Sequence, residues 1–493
     1  MAGKLEIERK YELPDGFALP DLAGIGAVAS VGDPDDQRLD AVYYDTVGLR
    51  LARGRVTLRR RTGGNDAGWH LKRPTGGERS ELQIPANARQ RTPPRAVADQ
   101  VRALTRGEKL APVARIRTHR VERALRAADG TTVALLADDH VSTESLRGGA
   151  AREWHELEVE LVDGAGEDLA RLDAALRKAG ARPAASPSKL AQALGEDYPP
   201  PAADTPRGST ARRALAAYLS EQRDALVEHD PQVREGDAEA VHKMRVATRR
   251  LRSTLRSFAP LLPESAPGDL DRLHEEVKWA TGLLGEVRDC DVMSERLAGL
   301  VAAEPVELVL GPVAARITSL LAARAAEARE ALIAGLDSPR YTSVLNDLDA
   351  LVAAASAPGR IPRRDLLRRA GKALDRADAR MAAATTDEQR HEARKAYKRA
   401  RYAAELVAPV AGKPATRLAA RVTDLQDVLG AHQDALVTCD LLRQYGISAH
   451  GAGENGFTFG LLHARTDEHG RRALDALPKA RRKARRAGRA LFG

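Results

Sequence analysis

Cysteine is nearly absent: Cys290 and Cys439 are the only two in 493 residues. That excludes a disulfide framework and a cysteine-based zinc site. Aromatic residues make up only 3% of the chain, so stacking on nucleobases is not expected as a main mode of holding a ligand. Long apolar runs are missing too. The most apolar stretch, about residues 297–323, is interrupted by Glu304, Pro305, Glu307 and Arg316, and no membrane span is expected. The opening residues, MAGKLEIERK, lack the apolar core of a signal peptide. These absences predict a reducing, cytoplasmic setting. A Ser-His-Asp elbow, a P-loop and a dinucleotide fingerprint are also lacking.

What is present is charge. Lys and Arg outnumber Asp and Glu, giving +9 and a pI near 9.6, and this predicts an anionic partner. At this length two or three domains are expected, and 43% hydrophobic residues suffice for real cores.

The first third alternates with period two, the mark of strands. In LEIERKYE, Glu6, Glu8, Lys10 and Glu12 share one face, with Leu5, Ile7 and Tyr11 on the other. RVTLRRR sets Arg55, Thr57, Arg59 and Arg61 against Val56 and Leu58, and WHLK pairs His70 with Lys72. SELQI pairs Glu81 with Gln83, and VARIR pairs Arg115 with Arg117. TTVALLADD brings a strand to Asp138, and ELEVEL aligns Glu156, Glu158 and Glu160 against Leu157, Val159 and Leu161. Three carboxylates about 6.6–6.8 Å apart on one strand face repel each other unless cations lie between them. A sheet closed with these faces inward is a charged tunnel that needs ions. Carboxylates suit Mg²⁺ or Mn²⁺, and guanidinium forks suit phosphate oxygens.

Residues 199–209, PPPAADTPRGS, read as a linker, taken as 201–208 between domains at 1–200 and 209–493. Beyond it helical periodicity takes over, with two halves expected at about 209–340 and 341–480. Candidate helices include 268–287 and 289–304, and 415–429 and 431–445, with breaks at prolines such as Pro409. In HKMRVATRRLRSTLR, His242, Arg245, Arg249, Arg252 and Arg256 follow each other at three and four residues, which stacks them along one helix face. The spacing returns in HEARKAYKRAR at His391, Arg394, Lys398 and Arg401. Each copy precedes a second echo, LGEVRDCDV at 284–292 and LGAHQDALV at 429–437, so an internal duplication is expected. Two such stripes side by side make a bed for a polyanion. Gly446–Gly460 reads as a loop, and the basic run 479–489 as either a frayed tail or a polyanion contact.

Glu6-Ile7-Glu8-Arg9-Lys10 resembles the ExExK signature of the CYTH domain, the triphosphate tunnel metalloenzymes, and Glu156-x-Glu158-x-Glu160 is similar to that family's last acidic strand. With the basic strands between them in the family's order, the resemblance covers about residues 1–200. It implies an eight-stranded antiparallel tunnel that binds a triphosphate end-on and hydrolyses it with Mg²⁺ or Mn²⁺. It assigns the metal to Glu6, Glu8, Glu156, Glu158 and Glu160, and the phosphates to Lys10, Arg59, Arg61, Lys72, Arg115 and Arg117. Glu6, Glu8, Lys10, Glu156 and Glu158 form the implied catalytic set. Arg117, Arg120 and Arg123 compete for one role. Glu81 and Asp138 match further acidic positions, with Asp139 the alternative to Asp138, and Lys189 resembles the lysine that follows the last strand. The region from about 205 onward resembles the CHAD domain, a helical module with two related halves whose implied ligand is inorganic polyphosphate. The second half is the poorer copy: Asp289 is matched by Asp434, but Asp291 by Leu436.

The fold class expected is therefore α+β and multidomain: an eight-stranded antiparallel β tunnel with helices, then an all-α domain of two related helical halves. The expected function is metal-dependent hydrolysis of inorganic tripolyphosphate, with polyphosphate binding by the helices. Alternatives are a thiamine triphosphatase or adenylate cyclase in the tunnel, or a non-catalytic scaffold at polyphosphate granules. Nucleic acid is the alternative polyanion for the stripes.

Overall fold

The computed structural model describes residues 4–75, 78–86, 90–199, 207–263 and 269–493, without the side chains of residues 4–6, 75, 78 and 79. It divides into two compact units, Met1–Ala203 and Asp204–Gly493. Most of the expected linker 201–208 lies outside the described residues, as does the side chain of Glu6.

The first unit is an antiparallel sheet. Its strands are β1 (Lys4–Glu6), β2 (Glu8–Glu12), β3 (Ser30–Val31), β4 (Asp35–Asp45), β5 (Thr57–Thr62), β6 (Gly68–Thr75), β7 (Glu78–Pro85), β8 (Ala111–Arg126), β9 (Thr132–Ser145), β10 (Arg152–Leu161) and β11 (Arg182–Pro183). They run in the order β1-β7-β6-β5-β4-β8-β9-β10-β2-β11, with β3 on β8. Only Ile7 separates β1 from β2, yet β1 pairs with β7 at one side and β2 with β10 at the other. The segment 4–12 thus closes the sheet, and with β4–β10 it makes a ring of eight strands. The two-residue β3 and β11 are additions outside that ring.

The barrel buries its apolar faces outward, under helices. Leu169, Leu172 and Leu176 of α4 (Gly166–Lys178) pack on Tyr11, Leu136, Leu157 and Val159. The short helices α1 (Arg50–Arg53), α2 (Arg95–Gln100) and α3 (Arg102–Thr105) lie beside β4–β7, where Leu51, Val97 and Val101 meet Leu58, Trp69 and Leu71. At one end Leu190 and Leu194 of α5 (Lys189–Leu194) pack instead against residues of the inward parity, Ala41, Ile116 and Val141. Each fully buried Leu or Val contributes about 1.5–3 kcal/mol. With most of the apolar parity committed outward, the alternate residues, many of them charged, face the bore.

The second unit is helical: α6 (Thr210–Glu235), α7 (Ala238–Phe258), α8 (Leu270–Ala302), α9 (Val313–Asp337), α10 (Pro339–Ser356), α11 (Arg363–Ala383), α12 (Asp387–Ala411), α13 (Lys413–Gly451), α14 (Phe457–Ala473) and α15 (Leu477–Phe492). The stripe helices α7 and α12 pack against each other, α7 also against α8 and α12 against α13. Each begins at a side-chain cap. Asp237 accepts from the backbone N–H groups of Glu239 and Ala240, and Thr386 forms a capping box with Gln389.

Several local expectations change. The segments 268–287 and 289–304 form one helix, α8, and 415–429 and 431–445 form one, α13. Apolar contacts on both sides of each LG pair hold these helices continuous, and Pro409 sits inside α12. The loop expected at Gly446–Gly460 shrinks, because α13 runs to Gly451 and α14 begins at Phe457. The basic run 479–489 is no frayed tail: α15 buries Ala480, Ala484, Ala487 and Gly488 and packs on α11 and α13. Helix α10, placed in the second half by a boundary near 340, packs on α6, α8 and α9.

Candidate functional sites

The bore of the barrel holds a cavity of about 280 Å³. Glu8, Lys10, Arg59, Arg61, Lys72, Glu81, Glu158, Glu160 and Lys189 line it, as do Arg120, Glu122 and Tyr43. Register explains the meeting. Glu156 stands opposite both Glu12 and Asp139, and Asp139 opposite Arg120, in one row across the wall. One step along, Glu158 faces Lys10, and one further Glu160 faces Glu8.

The acids sort into two groups. The inner group, Asp139, Glu156 and Glu158, offers one oxygen each within 4.8 Å of the others. It is neutralised from within. Lys189, at the first turn of α5, sends Nζ to within 2.5 Å of Glu156, 2.8 Å of Glu158 and 2.9 Å of Asp139. Arg120 holds Asp139 with two bonds of 2.8 and 2.7 Å and Glu158 at 2.8 Å. Lys10 donates to the other Glu158 oxygen. Burial alone would raise the Glu158 carboxyl, but Lys10, Lys189 and Arg120 outweigh it and hold it well below the usual range. For Lys189 the same contest ends the other way: burial lowers it, and Glu158, Asp139 and Glu156 raise it above the usual lysine range.

The outer group is Glu8, Glu160 and Glu122. Burial, then Asp35, Glu160 and Asp139, push the Glu122 carboxyl up against the pull of Arg120. The carboxylates gathered for an ion are those of the inner group, Asp139, Glu156 and Glu158, whose hard oxygen donors suit a Mg²⁺- or Mn²⁺-type ion.

The opposite wall is cationic. Arg59, held at 3.3 Å from the Tyr43 hydroxyl, stands across from His70, whose Nδ1 lies 2.8 Å from Glu81. Burial and the nearby Arg59 and Arg120 push Arg61 down to about 9, although it also pairs with Asp66. The Nε groups of Arg59 and Arg61 are buried without a hydrogen-bond partner. Unmet guanidinium donors aimed into a bore are what phosphate oxygens satisfy.

Three expected tunnel residues lie elsewhere. Arg115 and Arg117 point out of the barrel, where Arg115 pairs with Asp40 at 2.9 Å and Arg117 is 52% exposed. Ile116, Thr118 and Arg120 take the inward parity of β8, so Arg120 is the arginine of that strand in the bore. Asp138 also faces outward, while Asp139 is fully buried inside. Glu122 was not anticipated; its signal is the two-residue step from Arg120.

In the helical unit, Arg245, Arg249, Arg252 and Arg256 of α7 and His391, Arg394 and Lys398 of α12 line one groove of about 520 Å³. Arg296, Arg324, Lys395, Arg399 and His274 join them, with Asp289 and Asp434 as the acids of the lining. Arg245 meets Asp289 at 3.1 Å and Arg296 meets Asp434 at 2.8 Å. His242 and Arg401, expected in the stripe, fall outside this lining. Arg401 turns to Glu405 at 3.3 Å and lies over the Tyr402 ring, while His242 stays on the exposed flank near Arg288, Arg245 and Arg249.

The crowding has a cost that shows in proton affinities. Burial, then Arg249, Arg394 and Arg245, push Lys398 down to about 6. Arg399 falls to about 10, and His242, His274 and His391 are all lowered, burial leading in each case. The Nε groups of Arg245, Arg252 and Arg394 are buried without a hydrogen-bond partner.

The duplicated LG motif now has a physical role. A Cβ on Gly430 would stand 3.0 Å from the Arg394 guanidinium, and one on Gly285 3.5 Å from that of Arg245. In both copies an arginine of the neighbouring stripe lies over the glycine; at Gly430 the approach is close enough to need the missing Cβ, whereas at Gly285 it is an ordinary contact.

Together these features define a class: an antiparallel barrel with acids and cations sorted along its bore, joined to a duplicated helical unit with a cationic groove. Residues 4–190 match the CYTH domain and residues 217–443 the CHAD domain. The chain belongs to the CYTH family, followed by a CHAD domain, and its first unit is a triphosphate tunnel metalloenzyme of hydrolase or cyclase type. Two uncharacterised proteins from strains of Mycobacterium tuberculosis are 37% identical over 520 residues, covering 99% of this chain and 98% of theirs. Among solved structures, PptA from Streptomyces chartreusis is 22% identical, covering 56% of this chain and 99% of its own, with a TM-score of 0.46. PH1819 from Pyrococcus horikoshii is 17% identical over 38% of this chain and 96% of its own, at 0.25. Among the described residues no helix is long and apolar enough to cross a membrane.

Proposed function

We propose that the barrel hydrolyses inorganic tripolyphosphate with Mg²⁺ or Mn²⁺, and that the helical unit binds long-chain inorganic polyphosphate in the cytoplasm. The observation that carries the first reading is the bore's lining, carboxylates on one wall and Lys and Arg on the other. Among the described residues that line it, Tyr43 is the one aromatic side chain, and it is tied to Arg59. A phosphate chain finds donors throughout, whereas an adenine or thiazolium ring finds no stacking surface.

Asp139, Glu156 and Glu158, with Glu8, Glu160 and Glu122 further along the bore, would hold the ion. Once bound it supplies neutralisation of phosphoryl oxygens and an activated water. Lys10, Arg59, Arg61 and Lys72 would grip non-bridging oxygens and take up the charge that develops on them as the terminal phosphoryl group transfers in line. Arg120 and Lys189 hold the inner carboxylates in place.

For the groove, the carrying observation is the crowd of arginines, lysines and histidines in its lining against only two acids among the described residues, Asp289 and Asp434, a repulsion that a polyanion would relieve. The test of the barrel is phosphate release from tripolyphosphate, thiamine triphosphate and ATP, with Mg²⁺ and with Mn²⁺. Preferred turnover of tripolyphosphate supports the reading. A cyclic nucleotide from ATP, or no turnover of any substrate, overturns it. For the groove, long-chain polyphosphate should displace duplex DNA at fixed salt, and the reverse order overturns the assignment.

A further inference from the structure

The outer wall of the barrel carries a second set of ligating groups, unused by the chemistry above. His119 on β8, His140 on β9 and His155 on β10 stand directly opposite one another across three adjacent strands. Their neighbours in sequence, Arg120, Asp139 and Glu156, turn inward, so the histidines share the opposite face. Asp138 lies on that face as well. Its Oδ1 is 2.6 Å from His155 Nε2 and 3.8 Å from His140 Nδ1. The rings of His140 and His155 are 4.0 Å apart between centroids. His119 flanks them, its ring 6.4 Å from that of His140 and its Nε2 2.8 Å from Asp36.

One ligand atom from each of Asp138, His140 and His155 lies within 4.8 Å of the others. Three ligands about 2.0–2.1 Å from a tetrahedral Zn²⁺ stand about 3.3–3.4 Å apart, so small side-chain rotations complete the set. The approach is open: the His140 side chain is 65% exposed, while Asp138 and His155 are half-sheltered at 25% and 26%. The donors differ in kind from those of the bore. Imidazole nitrogens favour borderline ions such as Zn²⁺, whereas an all-oxygen set suits Mg²⁺.

We propose that Asp138, His140 and His155 form a transition-metal site on the outside of the barrel, taking Zn²⁺ or a dication of similar softness. Water completes the coordination. The ion ties β9 to β10, and each ligand adjoins a residue of the inner acidic group: Asp138 and His140 flank Asp139, and His155 precedes Glu156. Loading therefore braces the strands that position those carboxylates.

The test is Zn²⁺ titration of the full chain against a chromophoric chelator, in excess Mg²⁺ to fill the oxygen sites. The wild type should bind one more tight equivalent than His140→Ala or His155→Gln, each weakening that site roughly a hundredfold or more. Co²⁺ in place of Zn²⁺ should give visible absorption that both variants lose. Because His140 is exposed, its removal leaves the fold intact, and circular dichroism checks this. Equal stoichiometry and affinity in wild type and a folded His140→Ala overturn the proposal, whatever the barrel's activity proves to be.

Discussion

Lys398 makes the groove reading testable by pH alone. Among its groove neighbours it is pushed down to about 6, by burial first and then by Arg249, Arg394 and Arg245. At pH 7 a group with that value is about one-tenth protonated. A polyanion in the groove replaces repulsion with attraction and returns the ammonium toward its ordinary value of about 10.4. The proton-binding constant is then higher in the complex than in the free protein, so protons favour binding. Affinity should rise as pH falls, by up to about tenfold per unit between pH 8 and 6, where each unit is worth about 1.4 kcal/mol. Below about 6 the Lys398 contribution levels off, because the free protein is by then protonated. His242, His274 and His391, lowered in the same way, add to the slope only at that acidic end. Calorimetry with long-chain polyphosphate, at fixed salt in buffers of different ionisation enthalpy, should show close to one proton taken up at pH 7. Lys398→Met should lose that uptake and flatten the profile between pH 8 and 6. An affinity independent of pH in that range, or an unchanged slope in the variant, refutes the argument.

Glu8→Gln should nearly abolish tripolyphosphate hydrolysis at saturating Mg²⁺ while thermal melting stays near wild type, because the side chain has no apolar packing role. Wild-type turnover would remove Glu8 from the ligand set. Lys189→Met leaves the buried Glu156 without its cation, which should cost roughly 3–5 kcal/mol of stability in denaturant titration; a neutral result would show that Arg120 and Lys10 suffice to balance the group. Gly430→Ala should leave stability unchanged or slightly raised, since alanine favours a helix over glycine by about 1 kcal/mol. It should still weaken polyphosphate binding by displacing the Arg394 guanidinium. Replacing Arg245, Arg249 and Arg252 together with Ala should weaken polyphosphate binding about a hundredfold, a discounted total of about 3 kcal/mol. Tripolyphosphate turnover should not change in that variant, and unchanged polyphosphate affinity would return the stripe to a solvated helix face.

The legibility of the site in the sequence varies strand by strand, for physical reasons. On β2 and β10 the charged parity alternates with Leu, Val and Tyr, and burying those apolar residues under α4 fixes which way the charges face. Strand β8 offers no such decision. Its arginines fall at 115, 117, 120, 123 and 126, an odd step separates Arg117 from Arg120, and both faces look cationic. Only pairing with β4 and β9 reveals that Arg120 points in. Asp138 and Asp139 are adjacent on one strand, so one must face each way, and composition does not say which. In the helical unit the repeated spacing exposed most of the groove lining. Arg296 and Arg324 stood outside any stripe and were invisible until α8 and α9 packed beside α7. The LG pairs were legible only as a repeated motif. At Gly430 the missing side chain is what seats an arginine.

The two sites handle charge in opposite ways, and this separates what each can hold. In the bore every inner carboxylate already has a lysine or arginine against it, so the resting barrel is close to neutral along that row. A ligand entering there must exchange existing ion pairs for new ones. An anion alone gains little from that exchange, whereas an anion accompanied by a dication brings partners for both walls. The groove has no such balance. Its cations crowd one another strongly enough to push a lysine down to about 6, and the acids in its lining are few. Folding pays that repulsion in advance, and a long anion relieves it contact by contact with no ion of its own. Under this reading length is discriminated by charge balance: the neutralised bore accepts a short chain with its metal, and the unbalanced groove rewards each further phosphate.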